Sequence, residues 1–348
     1  MLALTVKPRT PDSLAVLEVP DPEPGPGELL VDGIALGVCG TDVEISLGDY
    51  GTAPEGRERL VLGHESFGRV RTAPEGSGFS VGDLVVGVVR RPDPEPCPAC
   101  AQGEFDMCRN NRYTERGIEG RDGFGSQMWS IEADYAVALD PALSQVGVLM
   151  EPTTVVAKAW EQIEQINTRA WQHPERLLVT GAGPIGLLAA LLGAARGLQV
   201  HVLDRAAAGA KPRMVDALGG QYHTGAIDEV AAKVKPDIII EATGSPEVAM
   251  SVVNAVTPAG IVCMTSVTPI GHNVEIDAGT LNRELVLENR VVFGTVNANM
   301  RHYRAAASAL AAADTSWLEQ LITRRVPLAK AEEAFERGAD DIKVVIEL

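Results

Sequence analysis

One segment limits the possible architectures more than any other: Gly181-Ala182-Gly183-Pro184-Ile185-Gly186, a G-x-G-x-x-G run. With 35 glycines in the chain the pattern alone is weak, so its setting decides. It follows the apolar stretch Leu177-Leu178-Val179-Thr180 directly and opens an Ala/Leu-rich helical stretch. Glycines in that place make the tight turn, admit a pyrophosphate to the backbone and let helix pack on strand. The helix amino terminus adds unpaired N–H groups and a dipole suited to phosphate. Gly181, Gly183, Pro184, Ile185 and Gly186 therefore read as a dinucleotide-binding turn.

Asp204 ends the next apolar stretch, Val200-His201-Val202-Leu203, near the separation of about 20 residues expected of a ribose-binding acid. Its carboxylate accepts from both ribose hydroxyls and repels a 2′-phosphate, which favours NAD over NADP. The neighbouring Arg205 keeps NADP open, because a guanidinium can clamp that phosphate. Thr243, just beyond the apolar segment 238–242, is a further cofactor-binding candidate.

The turn belongs to a region, from about residue 176, in which apolar strands alternate with helical stretches, the signature of a parallel sheet wound with helices. Residues 1 to about 150 are instead rich in Gly and Pro with short β-branched runs, which predicts a compact, largely β domain. A chain of 348 residues exceeds what one core comfortably fills, so two domains are expected. Ser245-Pro246-Glu247 predicts a helix start, and Val344-Val345-Ile346 a terminal strand. Cys263 reads as inert core and His302 as an exposed histidine at a helix start.

The net charge of −17 repels nucleic acid and anionic membranes. The pairs Arg90-Arg91 and Arg324-Arg325 read as solvated surface rather than a basic patch. Residues 177–195 carry no charge over a nearly membrane-spanning length, but their glycines and Pro184 read as strand, turn and helix. The first residues lack the basic and apolar order of a signal peptide, so a cytoplasmic location is expected.

Three of the five cysteines, Cys97, Cys100 and Cys108, crowd into one short stretch, which in such a compartment argues for metal rather than disulfides. Thiolates suit zinc, whose structural sites close with four ligands. The fourth is open: Asp93 or Glu95 could complete the shell, or the three remain free thiols. A second set is dispersed: Cys39 in Cys39-Gly40-Thr41-Asp42, His64-Glu65 after Gly63, and Glu151 before Pro152.

Pro24-Gly25-Pro26-Gly27-Glu28, Val38-Cys39-Gly40-Thr41-Asp42, Gly63-His64-Glu65-Ser66-Phe67-Gly68 and Val81-Gly82-Asp83 follow one another in the chain. With the cysteine lobe and the later glycine turn, they resemble the zinc-containing medium-chain dehydrogenases. Glu115-Arg116-Gly117-Ile118, Glu151-Pro152, the run from Val291-Val292-Phe293-Gly294 to Asn297-Ala298-Asn299, and Ile342-Lys343-Val344 narrow the likeness to the archaeal-type glucose dehydrogenases. The resemblance implies an α/β protein with an irregular GroES-like β-rich catalytic domain, residues 1–156, and a Rossmann doubly wound parallel sheet, residues 157–299. A C-terminal segment, residues 300–348, would return to the catalytic domain.

By the same resemblance, Cys39, His64 and Glu151 would ligate a catalytic zinc, with Glu65 beside the metal and able to exchange with water. Asp42 would orient the imidazole. Thr41 would take the hydroxyl proton and Glu44 would serve in its exit. Glu115, Glu151, Asn297 and Asn299 would meet sugar hydroxyls. The usual first cysteine of the structural lobe falls at Pro94, which leaves that second zinc in question. The activity implied is hydride transfer from a sugar hydroxyl, C1 of D-glucose or a related aldose, to NAD(P), releasing a lactone. Another polyol, an amino-cyclitol or a secondary alcohol is the alternative substrate, and a catalytically inactive nucleotide binder the alternative class. Relatives of this shape pair as homo-dimers or homo-tetramers.

Overall fold

The computed structural model describes residues 1–170, 173–268 and 271–348. The chain divides into two compact units, Met1–Thr154 with Asn297–Leu348, and Val155–Val296. Among the described residues no helix is long and apolar enough to cross a membrane.

The first unit is built on a seven-stranded sheet. At its centre runs β1 (Glu28–Val38), flanked antiparallel by β2 (Glu65–Thr72) and by the C-terminal strand Lys343–Glu347. Apolar residues on these strands, among them Leu29, Val31, Leu36, Val70, Val344 and Ile346, pack into one core with Ile45, Leu60, Leu62 and Trp129. The last strand thus pairs beside the middle of a sheet whose other strands, apart from Ile322–Pro327 on its far side, come from the first 140 residues. Immediately after β1 the chain turns into α1 (Gly40–Leu47), and α2 (Met150–Asn167) begins at the unit's far end in sequence.

The second unit holds a six-stranded, all-parallel sheet. Its strands are β3 (Arg176–Thr180), β4 (Gln199–Leu203), β5 (Gln221–His223), β6 (Ile238–Glu241), β7 (Ile261–Met264) and β8 (Val291–Gly294). Their spatial order, β5-β4-β3-β6-β7-β8, is the doubly wound dinucleotide-binding order expected from the alternation of strands and helices. Buried on both faces, the central strands are nearly continuous Leu, Val and Ile. The uncharged stretch resolves into β3, the glycine turn and α3 (Pro184–Ala195), as its glycines imply. Ser245 caps the helix Pro246–Ser251 by accepting from Val248 N–H, and Cys263 is wholly buried in β7.

Two expectations about surface residues fail. Arg90 and Arg91 are buried, each guanidinium lying over a tyrosine ring, 3.6 Å from the centroid of Tyr113 and 3.9 Å from that of Tyr135. Their charges are compensated by Glu115 and Glu132, partners 25 and 41 residues away in the chain. His302 is buried rather than exposed. Its Nδ1 accepts from the backbone N–H of Asn299 at 3.1 Å, so it serves the start of the helix Met300–Ala312, here α4.

Candidate functional site

Cys39 stands where β1 ends, at the N-cap of α1, and its backbone N–H donates to Asp42 Oδ2 at 2.9 Å. His64 stands where β2 begins, so the antiparallel pairing of β1 and β2 brings the two residues together. Cys39 Sγ lies 3.2 Å from His64 Nε2, and Asp42 Oδ1 lies 3.4 Å from the other ring nitrogen. Ligand atoms of Cys39, His64 and Glu65 all fall within 4.8 Å of one another. One sulfur, one imidazole nitrogen and one carboxylate oxygen form a donor set that fits zinc.

The electrostatics point the same way. Burial works against a charged imidazole, yet the neighbouring Cys39 and Asp42 raise the His64 pKa well above its ordinary value. Burial raises the Cys39 thiol, with Asp42 adding to it. Glu151, in the first turn of α2, has its carboxyl raised to about 7 by burial, in the combined field of His64, Glu65, Lys343 and Asp42. Such a group of acids around one thiol and one histidine calls for a cation.

The carboxylate that the structure brings into the close set with Cys39 and His64 is that of Glu65; Glu151 is not within the mutual 4.8 Å. Thr41 and Glu44 are half-buried on the first turns of α1, three residues apart and so on one helix face.

Glu115 is buried, and its Oε1 accepts from Arg90 Nε at 3.0 Å and from Asn297 Nδ2. Asn297 holds a positive φ of 62°, and its side-chain Oδ1 accepts from Ala298 N–H at 2.8 Å. Asn299 differs from what a sugar contact requires. Its Oδ1 caps α4 by accepting from Arg301 N–H, while Nδ2 donates to Asp106 Oδ1 at 2.8 Å and to Glu104 Oε2 at 3.1 Å. Only 2% exposed, it is committed to the fold. Glu104 and Asp106 carry no motif of their own, and Lys343, within the Ile342-Lys343-Val344 segment, has no role assigned from sequence; the folded chain draws all three in.

In the cysteine lobe the three thiols of Cys97, Cys100 and Cys108 gather within 4.8 Å. Backbone N–H groups of Arg109 and Cys100 point at Cys97 Sγ and lower its pKa to about 6, whereas burial raises Cys100 to about 11. Neither carboxylate considered as a fourth ligand joins them. Asp93 accepts from Asn110, Arg112 and the N–H of Glu95, and Glu95 is exposed and paired with Arg112 at 2.6 Å.

In the second unit the glycine turn joins β3 to α3, whose N-cap, Gly183, has no side chain to satisfy the first N–H groups. A Cβ on Gly186 would collide with the carbonyl oxygen of Gly181, so a side chain there would break the turn. Asp204 accepts from the N–H groups of Ala182 at 2.6 Å and Ala206 at 3.1 Å, with Lys211 Nζ 3.4 Å away. Burial opposes its charge, but these contacts hold its carboxyl below the ordinary value. Arg205 and Thr243 are exposed. Thr243 donates to Glu241, a fully buried carboxylate that also accepts from Ser266.

Two family models match. The alcohol dehydrogenase GroES-like domain covers residues 25–141 and the glucose dehydrogenase C-terminus residues 144–348. The chain is 38% identical to a glucose 1-dehydrogenase of Methanocella arvoryzae and 39% identical to one of Thermoproteus tenax. In both cases the alignment covers 100% of this chain and 99% of the relative. Among solved structures, the glucose dehydrogenase of Haloferax mediterranei in complex with NADP, Zn and gluconolactone superposes with a TM-score of 0.92 at 33% identity. It covers 100% of this chain and 99% of its own.

Proposed function

The chain belongs to the glucose dehydrogenase family of zinc-dependent medium-chain dehydrogenases, and from that premise we propose that it oxidises C1 of D-glucose or a related aldose to the lactone with NAD(P). The observation that carries this reading is the meeting of Cys39, His64 and Glu65 within 4.8 Å, in a chain that also has the glycine turn of a dinucleotide site.

Cys39 and His64 would hold the zinc, with a carboxylate from Glu65 or Glu151 completing the protein's share, and Asp42 would fix the ring of His64. When bound, zinc supplies Lewis acidity that lowers the pKa of the sugar hydroxyl, and the nicotinamide supplies the hydride acceptor. Thr41 would act as a relay, its hydroxyl accepting the sugar proton while passing its own outward to the cofactor ribose or to the carboxylate of Glu44, on the same face of α1. Glu115 and Asn297 bind sugar hydroxyls. The contacts of the Glu115 carboxylate with Arg90 and Asn297 run through Oε1, which would leave Oε2 for a ligand. A site built to pair with hydroxyls rejects simple alcohols that cannot satisfy it. Asp204 would accept from the cofactor ribose, with Arg205 and Lys211 at hand for a 2′-phosphate. We propose a cytoplasmic protein, on the character of its first residues, and a homo-dimer or homo-tetramer, as the resemblance implies.

The test is reduction of NAD and of NADP with D-glucose, D-galactose, D-xylose, sorbitol, threonine and ethanol, before and after chelation. Aldose-dependent reduction that chelation abolishes is expected. Activity confined to threonine or ethanol would refute the sugar assignment.

A further inference from the structure

Lys343 lies inside the acidic cluster around Cys39 and His64, though nothing in the chemistry above requires it. It opens the C-terminal strand, is 1% exposed, and donates through Nζ to the carbonyl of Val38 at 3.0 Å. The same Nζ forms an ion pair with Glu65 Oε2. A buried ammonium persists only where it is paired and hydrogen-bonded, and here its partners are the residue before Cys39 and the residue after His64.

The sheet is shaped to receive the pair. A Cβ on Gly37 would overlap Glu65 Oε2 and lie 2.8 Å from Lys343 Cε, so the glycine on β1 leaves the slot that both side chains fill. Glu65 is therefore pulled two ways. Its carboxylate is close enough to Cys39 Sγ and His64 Nε2 to share an ion with them, and at the same time it touches the lysine. Catalytic zinc sites work because one coordination position stays open for substrate, and a carboxylate bound without restraint would fill it.

We propose, resting on the metal centre described above, that Lys343 is a positioning residue that restrains Glu65 from full ligation and so keeps a coordination position available to the sugar hydroxyl. The lysine acts through the carboxylate, not on the substrate. Neutralising it releases Glu65 onto the metal, which tightens metal binding and slows turnover together.

Cobalt(II) in place of zinc gives a readout independent of activity, with the cobalt-loaded Cys39→Ala/His64→Ala variant subtracted to remove any signal from the cysteine lobe. Lys343→Met is expected to weaken and shift the ligand-field bands as a further oxygen ligand joins, and to slow cobalt release to a chelator by about ten- to a hundredfold. Lys343→Arg should keep the wild-type spectrum and release rate. In a Glu65→Gln background the lysine should no longer matter, so Glu65→Gln and Glu65→Gln/Lys343→Met should match; this comparison stands even if Lys343→Met alone folds poorly. The proposal is overturned if Lys343→Met gives the wild-type spectrum and release rate, or if its effect persists in the Glu65→Gln background. Should Cys39→Ala/His64→Ala hold cobalt as the wild type does, no metal sits between Cys39 and His64, and the metal centre itself fails along with the proposal.

Discussion

At the scale of single residues, chemistry legible in the sequence was chemistry carried by short motifs. Gly181 to Gly186 announced a phosphate-binding turn because the strand before it and the helix after it are written beside it. Asp204 was singled out for the same reason, and its contacts with two backbone N–H groups and Lys211 favour the ionised carboxylate that the proposed ribose contact requires. Replacing Asp204 by Ala should lower kcat/KM for NAD by about ten- to a hundredfold, the worth of a charge-assisted hydrogen bond, and raise the NADP to NAD ratio. An unchanged ratio in steady-state kinetics would mean that Asp204 does not touch the ribose. Lys343 lies in a segment that carried the family likeness, but its contact with Glu65 was not legible, since nothing around it says that the last strand pairs with the one leading into Cys39.

At the scale of elements, side chains whose role depends on where a helix starts or which strands pair were misread. Asn299 resembles a sugar-binding amide in sequence, but in the fold it caps α4 and holds two carboxylates. Arg90 and Arg91 look like a surface pair because their counter-charges come from strands far along the chain. Local sequence reports neither distance. Asn299→Ala should destabilise the first unit by about 1 to 3 kcal/mol, from the lost cap and from the donor withdrawn from buried Asp106. Urea unfolding would read this as a lower midpoint, with KM for the sugar little changed. A higher KM with an unchanged midpoint would return the amide to the substrate.

At the scale of the whole molecule, the architecture was legible because alternation of strand and helix and the contrast between the β-rich and α/β regions extend over a hundred residues or more. The proposed metal centre could be read only as a combination: Cys39 and His64 are 25 residues apart, and antiparallel pairing of β1 with β2 closes that gap. From the resemblance Glu151 was expected as the ligand and Glu65 beside the metal, whereas the fold brings the Glu65 carboxylate into the close set with Cys39 and His64. Anomalous diffraction at the zinc edge, from crystals of the zinc-supplemented enzyme, addresses the account most directly. A peak within bonding distance of both Cys39 Sγ and His64 Nε2 is predicted; scattering from the Cys97, Cys100 and Cys108 lobe alone, in an enzyme that still oxidises glucose, would contradict it.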